Sequence, residues 1–138
     1  MDRSRALERI CREHGVAAVY LFGSRGHDGV LLLRGEDVDA RGSDLDVALL
    51  FADPPPEPGS LSNLQVEIED VFAPLRVDVV PLHTVDPIFQ FRAIAGERVL
   101  ALGPRLADVW ELEAMREAAE LLPVQREMER ERFGTHTT

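Results

Sequence analysis

Three aspartates and one Gly-Ser pair are the residues of this chain whose types and spacing can do chemistry. In "GSDLDVALLF", Asp44 and Asp46 stand two residues apart, and on a strand that spacing projects both side chains from one face. Carboxylates held so close repel unless a divalent cation lies between them, and Mg2+ takes a few carboxylate oxygens together with substrate phosphates. Asp78 interrupts the otherwise apolar "RVDVVPL", where an unpartnered carboxylate is costly. On a neighbouring strand about 4.8 Å away it would complete a trio able to hold two metal ions, an arrangement that activates an attacking oxygen and steadies a leaving pyrophosphate. Upstream, "LFGSR" runs an apolar segment into Gly23 and Ser24. Backbone N–H groups exposed there suit phosphate oxygens, the Ser24 hydroxyl adds a contact, and Arg25 offers compensating charge. Each piece also has a plainer reading: the aspartate pair as a solvated strand edge, Asp78 as a charge that keeps an edge strand from aggregating, and Gly-Ser as a turn.

Strands are needed to bring these pieces together, and the apolar pattern supplies them. Leu7, Ile10, Cys11 and His14 recur at helical spacing over Arg3–His14, and Gly15 stops that helix. "VAAVYLF" (Val16–Phe22) is a continuous apolar run, which fits a strand buried on both faces. A second strand is expected at Leu45–Phe51, ended by the proline-rich "ADPPPEPG". Ser60 or Ser62 is expected to cap a helix running to about Phe72. A third strand follows over residues 76–82, then a short helix opening on Pro87, a short fourth strand over residues 97–103, and a long acidic helix over residues 106–133 that Pro123 is expected to kink or interrupt. The order α-β-β-α-β-α-β-α implies an α/β or α+β fold. One domain over residues 1–133 is expected, with residues 134–138 a disordered tail.

Composition removes several functions. The formal net charge of -10 argues against a partner held by its phosphate backbone, so no direct DNA binding is expected. All 15 basic residues are arginine, which excludes a P-loop lysine and a Schiff-base lysine. The single cysteine, Cys11, makes no internal disulfide and suits a reducing cytoplasm. No apolar stretch is long enough to cross a membrane, and the first residues lack a signal-peptide core, so a cytoplasmic location is expected. "DVDARGSDLDVA" imitates a calcium loop but has Arg41 and Ala48 at ligand positions. His14, His27, His83 and His136 form no metal-spaced pair.

Taken in order, "FGSR", "GSDLDVALLF" and "RVDVVPL" resemble the nucleotidyltransferase superfamily that includes DNA polymerase β, where a Gly-Ser motif precedes an aspartate pair and a later third aspartate. "DPIFQFRAIAGERVLALG" and the tail through "AMREAAELLPVQREM" resemble the minimal nucleotidyltransferases encoded beside HEPN-domain toxins. The resemblance implies a mixed sheet of about four strands flanked by helices. It implies Gly23, Ser24 and Arg25 at the phosphates of ATP, Asp44, Asp46 and Asp78 as ligands of two Mg2+ ions, and Asp78 as an aid to deprotonating the acceptor. The reaction implied is transfer of AMP to a tyrosine hydroxyl of a HEPN ribonuclease toxin, which silences it, within a homo- or hetero-oligomer. Two alternatives stand beside it: a non-catalytic binding antitoxin, and a nucleotidyltransferase acting on a small molecule.

One departure separates this chain from that pattern. Residues 25–43 place nineteen residues between Ser24 and Asp44, and the family spaces the two much more closely. Residues 27–35 therefore read as an insertion. Its "VLLL" is too apolar for a free loop, so it is expected to pack on the body, extend a hairpin or touch a partner. It would then cover the site, reshape the acceptor pocket or move Ser24 away from the aspartates.

Overall fold

The computed structural model describes residues 2–52 and 56–133. Its elements are α1 (Arg3–His14), β1 (Val16–Phe22), α2 (Gly26–Leu33), β2 (Leu45–Phe51), α3 (Pro58–Val71), β3 (Val77–Pro81), a single 3-10 turn (Leu82–Thr84), α4 (Pro87–Ile94), β4 (Glu97–Ala101) and α5 (Pro104–Phe133). The strands form one mixed sheet in the order β3-β2-β1-β4. β1 is antiparallel to both β2 and β4, whereas β2 and β3 run parallel.

The apolar runs are explained by helices on both faces of this sheet. Val19, Leu21, Val47 and Leu49 face one side and pack with Leu7, Ile10, Leu64, Ile68 and Phe72 from α1, α3 and the turn after α3. Ala18, Tyr20, Ala48 and Leu50 face the other side, where Leu82, Ala93 and Ala107 cover them. Strands buried on both faces lose the apolar-polar alternation of a half-exposed sheet, which is why β1 reads as an unbroken run. Tyr20, fully buried, donates its hydroxyl to Glu111 Oε2 at 2.7 Å, and Arg98 bridges Asp108 and the same Glu111. That network fastens α5 to the middle of the sheet. Among the described residues no helix is long and apolar enough to cross a membrane. Burial pushes the Cys11 thiol up to about 12, which makes it a packing residue rather than a reactive one.

Two sequence expectations are corrected, and a third is narrowed. The third helix starts at Pro58, with Glu57 at its N-cap, so neither Ser60 nor Ser62 caps it; a proline in the first turn presets the helical φ and needs no hydroxyl. α5 runs without a break through Pro123, so that proline does not interrupt it. Of the three placements expected for residues 27–35, packing on the body is the one seen: they form most of a helix of the core. α2 lies on β1 and β2, Leu32 is 1% exposed, and Gly29 lets the helix approach so closely that a Cβ would stand 2.7 Å from Leu21 Cδ1. The expected tail, residues 134–138, lies outside the described residues.

Candidate active site

Strand register assembles the chemistry. Phe22, the last residue of β1, pairs with Asp46 on β2, and Asp46 pairs with Asp78 on β3. The Gly-Ser turn, the aspartate pair and the third aspartate therefore meet at one end of three adjacent strands. Asp44 precedes β2, and Leu45 N–H donates to Arg76 O at 2.8 Å, which docks the entry to β2 beside β3. Ser24 Oγ and Ser43 Oγ share a hydrogen bond of 2.9 Å, so the two motifs touch despite the residues between them. Gly23, Ser24, Asp44 and Asp78 are exposed and Asp46 is half-buried, which leaves the site open.

Gly23 is required by space as well as by turn geometry. Its φ is +75°, and a Cβ there would overlap Asp46 Oδ2. Gly23→Ala is expected to lose about 1–2 kcal/mol from the left-handed backbone and to push the Asp46 carboxylate out of place. Thermal melting across pH checks this: the midpoint falls, and the pH dependence that Asp46 contributes changes with it.

Burial, then the charges of Asp78 and Asp44, raise the Asp46 carboxyl above its usual range. A carboxyl that binds protons more readily folded than unfolded adds stability at low pH, and that contribution is lost as pH rises through the raised value. At neutral pH the metal-free protein thus carries an unrelieved repulsion. Asp46→Asn is expected to raise the melting temperature of metal-free protein by about 2–4 °C at pH 7, and the gain shrinks as pH falls towards 4. The same repulsion suits a divalent cation, and three hard carboxylate donors on adjoining strands are the donor set Mg2+ takes.

The three aspartates do not draw together as tightly as another group does. Among the described residues, Glu13, His14 and Glu67 bring one ligand atom each within 4.8 Å of one another. They sit at the start of β1, roughly 20 Å from Gly23 by strand rise. His14 is therefore not a lone histidine: its Nε2 pairs with Glu67 Oε2 at 2.6 Å and ties α1 to α3.

Arg25 departs from its expected role at the phosphates. It is buried, its Nε donates to Asp28 Oδ2 at 2.7 Å, and its other nitrogens donate to the carbonyls of Asp39, Arg41 and Ser43. Four of its five N–H donors are thus engaged within the protein, which leaves at most one for a phosphate. A positive charge beside the turn stands instead on Arg92, which the sequence reading passed over. A cleft of about 300 Å³ next to Gly23 is lined by Phe22, Gly26, His27, Arg92 and Gly96. No sequence spacing links Arg92 on α4 to Gly23; only the pairing of β4 with β1 does. The larger groove, about 720 Å³, is apolar and lies at the far end of β2 beside Trp110 and Val109 of α5, away from the aspartates.

The family model described as "Polymerase beta, Nucleotidyltransferase" matches residues 5–102. No curated protein matches the chain. Among solved structures, a toxin-antitoxin complex with AMP-PNP is similar at 15% identity and a TM-score of 0.69, covering 93% of this chain and 96% of the other. The MntA-HepT toxin-antitoxin is similar at 14% identity and a TM-score of 0.66, covering 94% and 95%. A tri-AMPylated HEPN toxin in complex with MNT antitoxin from Shewanella oneidensis gives 14% identity and a TM-score of 0.66, covering 94% of each chain.

Proposed function

The chain belongs to the polymerase β nucleotidyltransferase family, and from that premise we propose that it transfers AMP from ATP to a hydroxyl of a HEPN-type toxin and so acts as the antitoxin. The observation that carries this reading is the alignment of Phe22, Asp46 and Asp78 across three strands, which puts the Gly-Ser turn beside all three carboxylates. Similarity over nearly the full length to antitoxins solved with a HEPN toxin or with AMP-PNP supports the partner and the nucleotide.

In this reading the backbone N–H groups after Gly23 and the Ser24 hydroxyl hold the outer phosphates, while Arg92 adds positive charge along the neighbouring cleft, which His27 and Glu97 also line. Asp44, Asp46 and Asp78 would hold two Mg2+ ions, which supply neutralisation of phosphate charge and activation of the attacking oxygen. Asp78, exposed on the edge strand, receives the acceptor's proton. The acceptor oxygen bonds to the α-phosphorus, the bond from that phosphorus to the bridging oxygen breaks, and pyrophosphate leaves. The tyrosine acceptor follows from the same family likeness, and the acidic surface would speed encounter with a basic partner. The exposure of Asp44 and Asp78 favours catalysis over a binding-only antitoxin with a blocked site.

The test is direct. Purified chain, α-labelled ATP, Mg2+ and the toxin encoded beside it are expected to label the toxin and release pyrophosphate, with chelator stopping both. A folded chain that leaves the toxin unlabelled, or labels it equally in chelator, overturns the proposal.

A further inference from the structure

We propose that Arg25 is a positioning residue, whose guanidinium gathers the segment between α2 and β2 and thereby fixes the aspartate pair against the Gly-Ser turn. The inference rests on the nucleotidyl-transfer reading and assigns to that site a support residue outside its phosphate and metal contacts.

The geometry is that of a hub. The Arg25 side chain is only 9% exposed. One edge of its guanidinium meets Asp28 in the first turn of α2; Nη1 donates to Arg41 O at 2.9 Å and to Ser43 O at 3.4 Å, and Nη2 donates to Asp39 O. Three alternate carbonyls, at residues 39, 41 and 43, thus turn toward a single planar group. Arginine does this because it presents five N–H donors in a fixed plane; a lysine ammonium offers three from one point and cannot span Asp28 and three carbonyls.

The clamp answers the problem set by the long spacing. A segment of this length leaves its far end poorly determined unless something closes it. The last carbonyl held is that of Ser43, whose hydroxyl also meets Ser24, and the next residue is Asp44. Gly42, at φ +120°, passes so close that a Cβ would lie 3.1 Å from Arg25 Nη1. The loop is shaped to the guanidinium.

Two variants test this on the full-length chain. Arg25→Lys keeps the charge and loses the fork. Gly42→Ala crowds the guanidinium from the loop side without touching the core, and it serves where Arg25→Lys fails to fold. Two readouts are taken: tryptic cleavage after Arg34 and Arg41, followed by mass spectrometry, and Mg2+ titration of AMP-PNP binding and of AMP transfer. Cleavage at those bonds is expected to quicken about tenfold. Half-saturating Mg2+ is expected to rise about tenfold, with the rate at saturating Mg2+ kept within about twofold. Wild-type cleavage in the variants, or faster cleavage with unchanged Mg2+ dependence, overturns the inference. If wild-type protein shows no Mg2+-dependent nucleotide binding, the transfer reading fails with it; failure of the clamp alone leaves wild-type binding intact.

Discussion

Replacing Asp44 and Asp46 together by alanine is expected to lower AMP transfer by at least about 10³-fold while leaving the chain folded. The size follows from what is removed. Holding cations at the transferring phosphate supplies several kcal/mol of charge stabilisation, and loss of even one preorganised group at such a centre typically reduces rates by about 10²–10³. The sparing of the fold follows from where the residues stand. Asp44 is exposed ahead of β2, and Asp46 is half-buried with its carboxyl raised by burial and by its two acidic neighbours. Removing those charges relieves repulsion in the metal-free protein. The combination is therefore diagnostic: melting temperature at or above wild type, calorimetric binding of Mg2+ and AMP-PNP gone, and no label on the toxin. A double variant that transfers AMP as well as wild type would falsify the assignment of the site.

The second large effect concerns the segment that reads as an insertion. Leu32→Ala is expected to destabilise the fold by about 2–5 kcal/mol, the usual cost of emptying a leucine site in a core. Deletion of residues 27–35 is expected to abolish cooperative unfolding altogether. Leu32 is 1% exposed among residues that include Leu21 and Leu45, and Gly29 seats the helix directly on those two leucines. Without the segment, the ends of β1 and β2 that carry the Gly-Ser turn and the aspartates would be bared to water. Urea denaturation followed by circular dichroism measures both. A deletion variant that unfolds cooperatively near the wild-type midpoint would show the segment to be an appendage.

How much was legible in the sequence can be judged from these same residues. β1 and β2 were legible to the residue, because strands buried on both faces leave long apolar runs with sharp polar ends. The pairing of Asp46 with Asp78 was legible only as a condition, since nothing in one sequence says which strands lie side by side. α2 was not legible as a helix. Gly26 and Gly29 within "GHDGVLLL" lower its intrinsic propensity, and the reason for them, close approach to Leu21 and Leu45, exists only in the assembled fold. Arg25 misled for a related reason: an arginine beside a Gly-Ser turn suggests charge for a phosphate, and only the folded loop shows four of its five donors spent on Asp28 and three carbonyls. The Asp28 partner did have a signal, the spacing of three from Arg25 across the start of a helix.

The register that joins Phe22, Asp46 and Asp78 also divides the chain by what evolution can change in it. A slip of one residue in β2 would turn Asp46 toward the hydrophobic layer and send Leu45, Val47 and Leu49 to the opposite face. The core thus holds the aspartates in their mutual geometry, and neither insertion nor loss is tolerable within β2 or β3. Between α2 and β2 the chain is anchored through backbone carbonyls, which every residue type possesses. Descendants can lengthen, shorten or rewrite that stretch so long as Gly42 is kept and three carbonyls still reach the guanidinium, and variation in length among relatives should concentrate there.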